Sequence, residues 1–206
     1  MTDLKRRDHW ENVYATKRET EVSWFQETPS ISLELIETVG TTAGSSIIDI
    51  GGGASRLVDA LIDEGCQNVT VLDLSESALS AAKARLGEKA AMVSWIVADV
   101  TRWKPPARYD IWHDRAAFHF LTEADDRNRY RESLDKALAP GGHAIIATFA
   151  LGGPERCSGL PVVRYDAASL GRTLGKDFAL VETRRHDHRT PTGGMQRFQF
   201  SVFRRQ

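Results

Sequence analysis

Three carboxylates, Asp49, Asp73 and Asp99, stand 24 and 26 residues apart, each in or just after a short run of apolar and β-branched residues. The first leads into a glycine-rich turn, Asp49-Ile50-Gly51-Gly52-Gly53-Ala54-Ser55. Three glycines allow positive φ and leave no Cβ in the way, so a ligand can lie against the backbone there. An ionised carboxylate only accepts hydrogen bonds: at the end of a second strand it can take both hydroxyls of a ribose, and at the end of a third an adenine amino group. A dinucleotide site would want G-x-G-x-x-G, but the third-glycine position is Arg56. Acidic and poor in phosphate ligands, the arrangement suits a nucleoside whose remaining group is cationic.

A second group lies in Trp112-His113-Asp114-Arg115-Ala116-Ala117-Phe118-His119-Phe120-Leu121. His113 and Asp114 fall at a strand's carboxyl end, where open α/β sheets bind ligands, and with His119 they are the candidates for a general base. Each has a structural alternative. Asp114 can cap the next helix or pair with Arg115, and His119, among Phe118, Phe120 and Leu121, can be an ordinary buried histidine. Trp10, Tyr14, Trp24 and Phe25 can offer ring faces to an adenine or a cation, or pack N-terminal helices onto a sheet. Cys157 sits in a glycine-rich loop, Gly152 to Pro161, that can shape a substrate pocket. Neither the two cysteines nor His186-x-His188 has metal-ligand spacing, so no metal is expected.

Strand and helix patterns alternate around these residues. Ile47–Ile50, Val69–Asp73, Met92–Val97, Tyr109–Trp112 and His143–Phe149 read as strands buried on both faces. Between them Ser55–Glu64, Ser75–Leu86 and Glu123–Leu138 read as helices, the last stopped by Ala139-Pro140-Gly141-Gly142. The alternation predicts a doubly wound α/β sheet with right-handed crossovers. Phe178–Arg185 and Arg197–Arg204 should close it as an antiparallel hairpin, since the residues between them include Thr190-Pro191-Thr192-Gly193-Gly194 and no helix pattern. Ahead of the sheet, Leu4 to about Lys17 and a segment from Pro29 read as helices, giving an N-terminal cap over 1–45 and an α/β core over 46–206 of one domain.

The 206 residues carry 27 Lys and Arg against 28 Asp and Glu, a formal charge of −1, which gives no electrostatic case for nucleic acid or an anionic membrane. No apolar run approaches the roughly 20 residues of a membrane span, and two cysteines without a disulfide framework point to the cytoplasm. The average hides a division: from Arg184 onward there are six Arg and one Asp.

In the order of its motifs the chain resembles the class I S-adenosylmethionine-dependent methyltransferases. The matching elements are Asp49 to Ser55 as the glycine-rich motif, Asp73 with Leu74 as the ribose motif, Ala98-Asp99-Val100 as the adenine motif, Tyr109 to Arg115 after the fourth strand, and Ala139 to His143 before the fifth. The resemblance implies a mostly parallel, seven-stranded Rossmann-like sheet of order 3-2-1-4-5-7-6 and S-adenosylmethionine as cofactor. It also implies a cofactor site built from Asp49, Gly51, Gly52, Gly53, Asp73, Leu74, Asp99 and Val100. Trp10-Glu11-Asn12-Val13-Tyr14 and Val22-Ser23-Trp24-Phe25 are similar to a subgroup containing protein-lysine methyltransferases of elongation factors and citrate synthase, which implies that Trp10 and Tyr14 cover the cofactor. That subgroup has an Asp-Lys-Gly-like triplet where this chain has Asp114-Arg115-Ala116. The reading is therefore a methyltransferase for a small molecule or thiol, with a protein-lysine acceptor as alternative. A nicotinamide-dependent oxidoreductase and a non-catalytic cofactor-binding protein are the readings from other classes.

Overall fold

The computed structural model describes residues 3–206. Helix α1 (Asp3–Thr16), a 3₁₀ turn at Glu19–Glu21 and α2 (Ser30–Thr38) precede β1 (Ser46–Ile50). Then follow α3 (Leu57–Asp63), β2 (Asn68–Asp73), α4 (Glu76–Leu86), β3 (Val93–Val97), β4 (Tyr109–Arg115), α5 (Ala124–Ala137) and β5 (Leu138–Phe149). A two-residue-per-arm hairpin, β6 (Arg156–Cys157) and β7 (Leu160–Pro161), leads to α6 (Ala167–Leu174), β8 (Phe178–Arg189) and β9 (Met195–Arg205). The main sheet runs β3-β2-β1-β4-β5-β9-β8. Its first five strands are parallel, and β9 pairs antiparallel with both β5 and β8. This is the expected order, with β8 and β9 as sixth and seventh strands of the sheet.

Both faces of the sheet are covered, and the period-two alternation of its strands divides the core. Ile47, Val71, Ile111, Ile145 and Val202 pack with α2 and α3 through Leu35, Leu57 and Leu61. Their neighbours Ile48, Leu72, Trp112, Ile146 and Phe203 pack with α5 and α6 through Leu134, Leu170 and Leu174. Each central strand is therefore apolar at consecutive positions, which is why it reads as a continuous run.

Three local features differ from the sequence reading. Helix α6 lies just beyond the Gly152–Pro161 loop, in residues to which the sequence pattern assigns no element; Asp166 caps it by accepting from Ser169 N at 2.7 Å, while Asp166 N donates back to Ser169 Oγ at 3.0 Å. Ala139-Pro140-Gly141-Gly142 ends α5 but lies within β5, where the register shifts between Tyr109 and Ile111, so the break is a bulge rather than a loop. The hairpin strands pair as far as Arg189 with Met195, leaving only residues 190–194 as the turn.

Candidate active site

A cleft of about 1020 Å³, counted to its open mouth, lies across the carboxyl ends of β1, β2, β3 and β4. Its floor is the turn after β1. Gly51 has φ 65°, and a Cβ there would stand 2.7 Å from Ala117 Cβ; Gly53 has φ 48°, and a Cβ there would stand 2.9 Å from Asp73 Oδ2 and 3.0 Å from the Tyr14 hydroxyl. Side chains at these two positions are excluded by both conformation and space. The carbonyls that follow, Ala54 O and Ser55 O, accept from the Arg85 guanidinium at 3.0 Å, and Arg85 also pairs with Asp59 and Glu19. Arg56, the residue at the third-glycine position, is turned into the same network through Glu19 and Glu27 and lies over the Phe25 ring at 5.3 Å. Phe25 is thus a packing residue, while Trp24 lines the cleft.

At one end Asp73, Leu74, Asp99 and Val100 line the cleft. Asp73 Oδ1 accepts from Ser75 N at 2.8 Å, yet burial, with some help from the Asp49 and Glu11 charges, pushes its carboxyl up to about 7. Asp99 Oδ1 accepts from Thr101 N at 2.9 Å and Thr101 Oγ1 at 2.7 Å, while its Oδ2 is buried with no partner. A buried acceptor left open is costly unless a ligand donor fills it, and an exocyclic amino group is such a donor. Tyr14 projects from α1 against Gly53, and burial, chiefly, with the Asp73 charge pushes its phenol well above the usual range, so it stays protonated.

The three candidate bases do not come together. His113 and Asp114 are consecutive on β4, so their side chains leave opposite faces. His113 points toward α2, where Nδ1 donates to Asp49 Oδ1 at 2.7 Å and the Ser32 hydroxyl donates to Nε2 at 2.9 Å. It lines the cleft, but both ring nitrogens are taken, and the base role expected of it has no free lone pair in this arrangement. Asp114 points toward α5, fully buried; it accepts from Ala117 N, Phe118 N and the Tyr130 hydroxyl, the last at 2.6 Å, and is not part of the cleft wall. Its function here is the capping alternative, and burial still pushes its carboxyl up to about 6. His119 is also fully buried outside the cleft wall, stacked edgewise on Phe120 and against Phe149, with Nδ1 accepting from Phe149 N at 3.3 Å. Burial pushes its pKa down to about 3.

The other end of the cleft is aromatic. Trp10 meets Trp24 at 5.7 Å and Phe120 at 5.0 Å between centroids, and Tyr14 meets Trp24 at 6.3 Å. Cys157 and Phe198 complete this end; burial pushes the Cys157 thiol up to about 11, so it is not a nucleophile. Two residues that sequence reasoning left out also line the cleft, Arg6 and Arg115. Arg115 had been considered only as a partner of Asp114, and its direction along the strand was the available signal. Ala116, which follows it, has φ 73°, the left-handed region where glycine is easier, and its N–H donates to Ala147 O at 2.9 Å.

Helix α1 is fastened over the cleft at three points. Glu11 accepts from Glu76 N at 2.6 Å, Ser77 N at 3.2 Å and Ser75 Oγ at 3.2 Å, completing the N-terminus of α4. Arg6 pairs with Asp126 of α5 at 3.1 Å, and His9 Nε2 meets Ser158 Oγ, in the β6–β7 turn, at 3.3 Å.

A glycine cradle, an acidic end with one open acceptor and an N-terminal aromatic cover thus meet in one cleft, and residues 47–142 match the family described as "Methyltransferase domain". Over those residues the chain is similar to that family. It is 25% identical over 104 residues, 50% of its length and 43% of the relative's, to nodulation protein S of Rhizobium tropici. It is likewise 25% identical over 141 residues, 67% of its length but 20% of the relative's, to the eEF1A lysine and N-terminal methyltransferase of Mus musculus. The chain thus spans less than half the length of these two relatives. Among solved structures, the 1,6-didemethyltoxoflavin-N1-methyltransferase of Burkholderia thailandensis, bound to 1,6-didemethyltoxoflavin and S-adenosylhomocysteine, shares the fold with a TM-score of 0.70 at 20% identity, over 98% of this chain and 84% of that one.

Proposed function

We propose that this protein, as one methyltransferase domain with an N-terminal cap, moves the methyl group of S-adenosylmethionine to a small-molecule or thiol acceptor. The observation that carries the choice of acceptor is the enclosure of the acceptor end. Trp10, Trp24 and Phe120 narrow it to a gallery between rings, and the His9–Ser158 contact closes α1 onto the β6–β7 hairpin above it. A flat small molecule fits between ring faces, whereas a lysine on a folded protein must reach in past that closure. The small-molecule methyltransferase among the structural neighbours supports the same choice. The lysine methyltransferase relative, with the tryptophan-tyrosine helix, supports the alternative of a protein acceptor. Two buried free cysteines suit a reducing, cytoplasmic setting, and no helix among the described residues is long and apolar enough to cross a membrane.

In this reading Asp73 receives the ribose hydroxyls and Asp99 Oδ2 the adenine amino group, with Leu74 and Val100 against the rings. The glycine turn admits the methionine portion, and Asp49 is held in place by His113. The cofactor supplies a methyl group on a cationic sulfonium, open to in-line displacement. The protein's contribution is alignment and exclusion of water: Trp10, Tyr14, Trp24 and Phe120 restrict the acceptor to one approach, and near-attack alignment alone can contribute about 7–11 kcal/mol. With His113 bonded at both nitrogens and Asp114 and His119 outside the cleft, none of these three stands ready as general base. The acceptor is therefore one that arrives with a free lone pair, such as a thiolate, a phenolate or a ring nitrogen. Release of S-adenosylhomocysteine across a panel of small thiols, phenols and nitrogen heterocycles, beside lysine peptides and protein extracts, tests this. Turnover with small acceptors is expected; turnover confined to protein would replace the reading by its alternative, and none at all would favour a non-catalytic binding protein.

A further inference from the structure

We propose that Arg115 is the receptor for an anionic group on the methyl acceptor, which makes the acceptor a small, flat organic anion, a carboxylate being the best match to the guanidinium. The proposal deepens the methyl-transfer reading and rests on it. Arg115 ends β4 and lines the cleft beside Trp24, to whose carbonyl its Nη1 donates at 3.0 Å. That is the one hydrogen bond its five N–H donors make among the described residues, and no carboxylate there lies within ion-pair distance of it. The contrast with other arginines is direct: Arg56, Arg85, Arg164, Arg184 and Arg205 each hold a carboxylate. Burial lowers the Arg115 pKa, opposed chiefly by the Asp49 charge. The Asp49 carboxylate, however, is already bonded to His113 at 2.7 Å.

A cation with no carboxylate in direct contact in a partly desolvated cleft is costly, and a sulfonium in the same cleft raises that cost. An anionic acceptor removes both liabilities at once. A neutral acceptor removes neither. The sheet order separates the charges as this requires. Asp73 and Asp99 stand at the ends of β2 and β3, on one side of β1, and Arg115 stands at the end of β4, on the other. In the same cleft Trp24, whose carbonyl Arg115 holds, and Phe120 and Phe198 offer apolar surface for the body of such a molecule. A guanidinium fork donates to both oxygens of a carboxylate, which fixes orientation as well as charge.

The test uses the full chain loaded with S-adenosylhomocysteine and two matched probes, 2-naphthoate and its neutral amide, titrated calorimetrically into wild type, Arg115→Lys and Arg115→Gln. Wild type should bind the acid about tenfold or more tightly than the amide, as expected for a charge-assisted pair. Arg115→Gln should bring the acid to the level of the amide, and Arg115→Lys should keep part of the preference. Equal binding of the two probes to wild type, or no binding of the acid, overturns the proposal without recourse to any variant. So does a preference that survives in Arg115→Gln. A second arm separates the other source of a carboxylate, the cofactor's own. If Arg115→Gln weakens S-adenosylhomocysteine about tenfold or more but leaves its decarboxylated analogue unchanged, Arg115 serves the cofactor and the proposal falls. Failure of wild type to bind S-adenosylhomocysteine at all would instead contradict the methyltransferase reading beneath it.

Discussion

Asp73 carries the most quantitative consequence of the site. Its carboxyl is buried and held at about 7 against a reference of 3.8, whereas the proposed role, accepting two ribose hydroxyls, calls for the ionised form. Those hydroxyls donate to the charged form and so lower the pKa in the complex. Below pH 7 the free protein therefore holds a proton that binding must expel. If the bound value falls well below 6, affinity for S-adenosylhomocysteine drops about tenfold between pH 8 and pH 6, with close to one proton released per ligand at pH 6. Calorimetry in buffers of different ionisation enthalpy reads both quantities. Asp73→Asn should remove the proton release and weaken binding at pH 8 by about 1–3 kcal/mol. Stability moves the other way. Because the folded pKa is raised, the stability linked to Asp73 is fully present below pH 3.8 and is lost as pH rises through 7, by on the order of 4 kcal/mol at most. Asp73→Asn should therefore melt higher than wild type at pH 8 without ligand while binding worse. Affinity that is flat from pH 6 to 8, with no proton released, would refute the placement of the ribose on this carboxylate.

Other consequences follow from single contacts. Asp99→Ala should weaken S-adenosylhomocysteine by about 1–3 kcal/mol in the same titration while leaving the affinity of an analogue lacking the adenine amino group nearly unchanged. Asp114→Ala should destabilise the fold by about 3–5 kcal/mol in denaturant melts, since it strands a buried hydroxyl and two backbone donors. Glu11→Ala leaves Glu76 N and Ser77 N at the start of α4 without their acceptor and removes one fastening of the α1 cover, so cofactor dissociation should speed up about fivefold to thirtyfold in stopped flow. His113→Ala should lower turnover through misplacement of Asp49, and the pH profile of kcat should keep its shape; loss of one limb of that profile would restore His113 as a base.

The parallel strands were legible because residues buried on both faces leave continuous apolar runs, and the glycine turn and the spacing of Asp49, Asp73 and Asp99 marked residues that do line one cleft. Helix α6 was hidden because its capping pair, Asp166 and Ser169, lies just beyond a glycine-rich stretch that reads as loop. The bases were harder for a geometric reason. Sequence places His113 and Asp114 at the right strand end, but the side on which each leaves the sheet depends on what α2 and α5 offer. Ser32 on one face and Tyr130 on the other engage them in structural bonds. Arg115 escaped notice because its neighbour in sequence, Asp114, suggested a partner that the alternation of the strand sends to the opposite face.

The central claim, that the cleft is a site for S-adenosylmethionine, is tested most directly by titrating the protein with S-adenosylmethionine, S-adenosylhomocysteine and NADH in one calorimetric series. Saturable binding of the first two at one per chain, with none of the third, is the predicted result. Binding of NADH with none of the other two would contradict it.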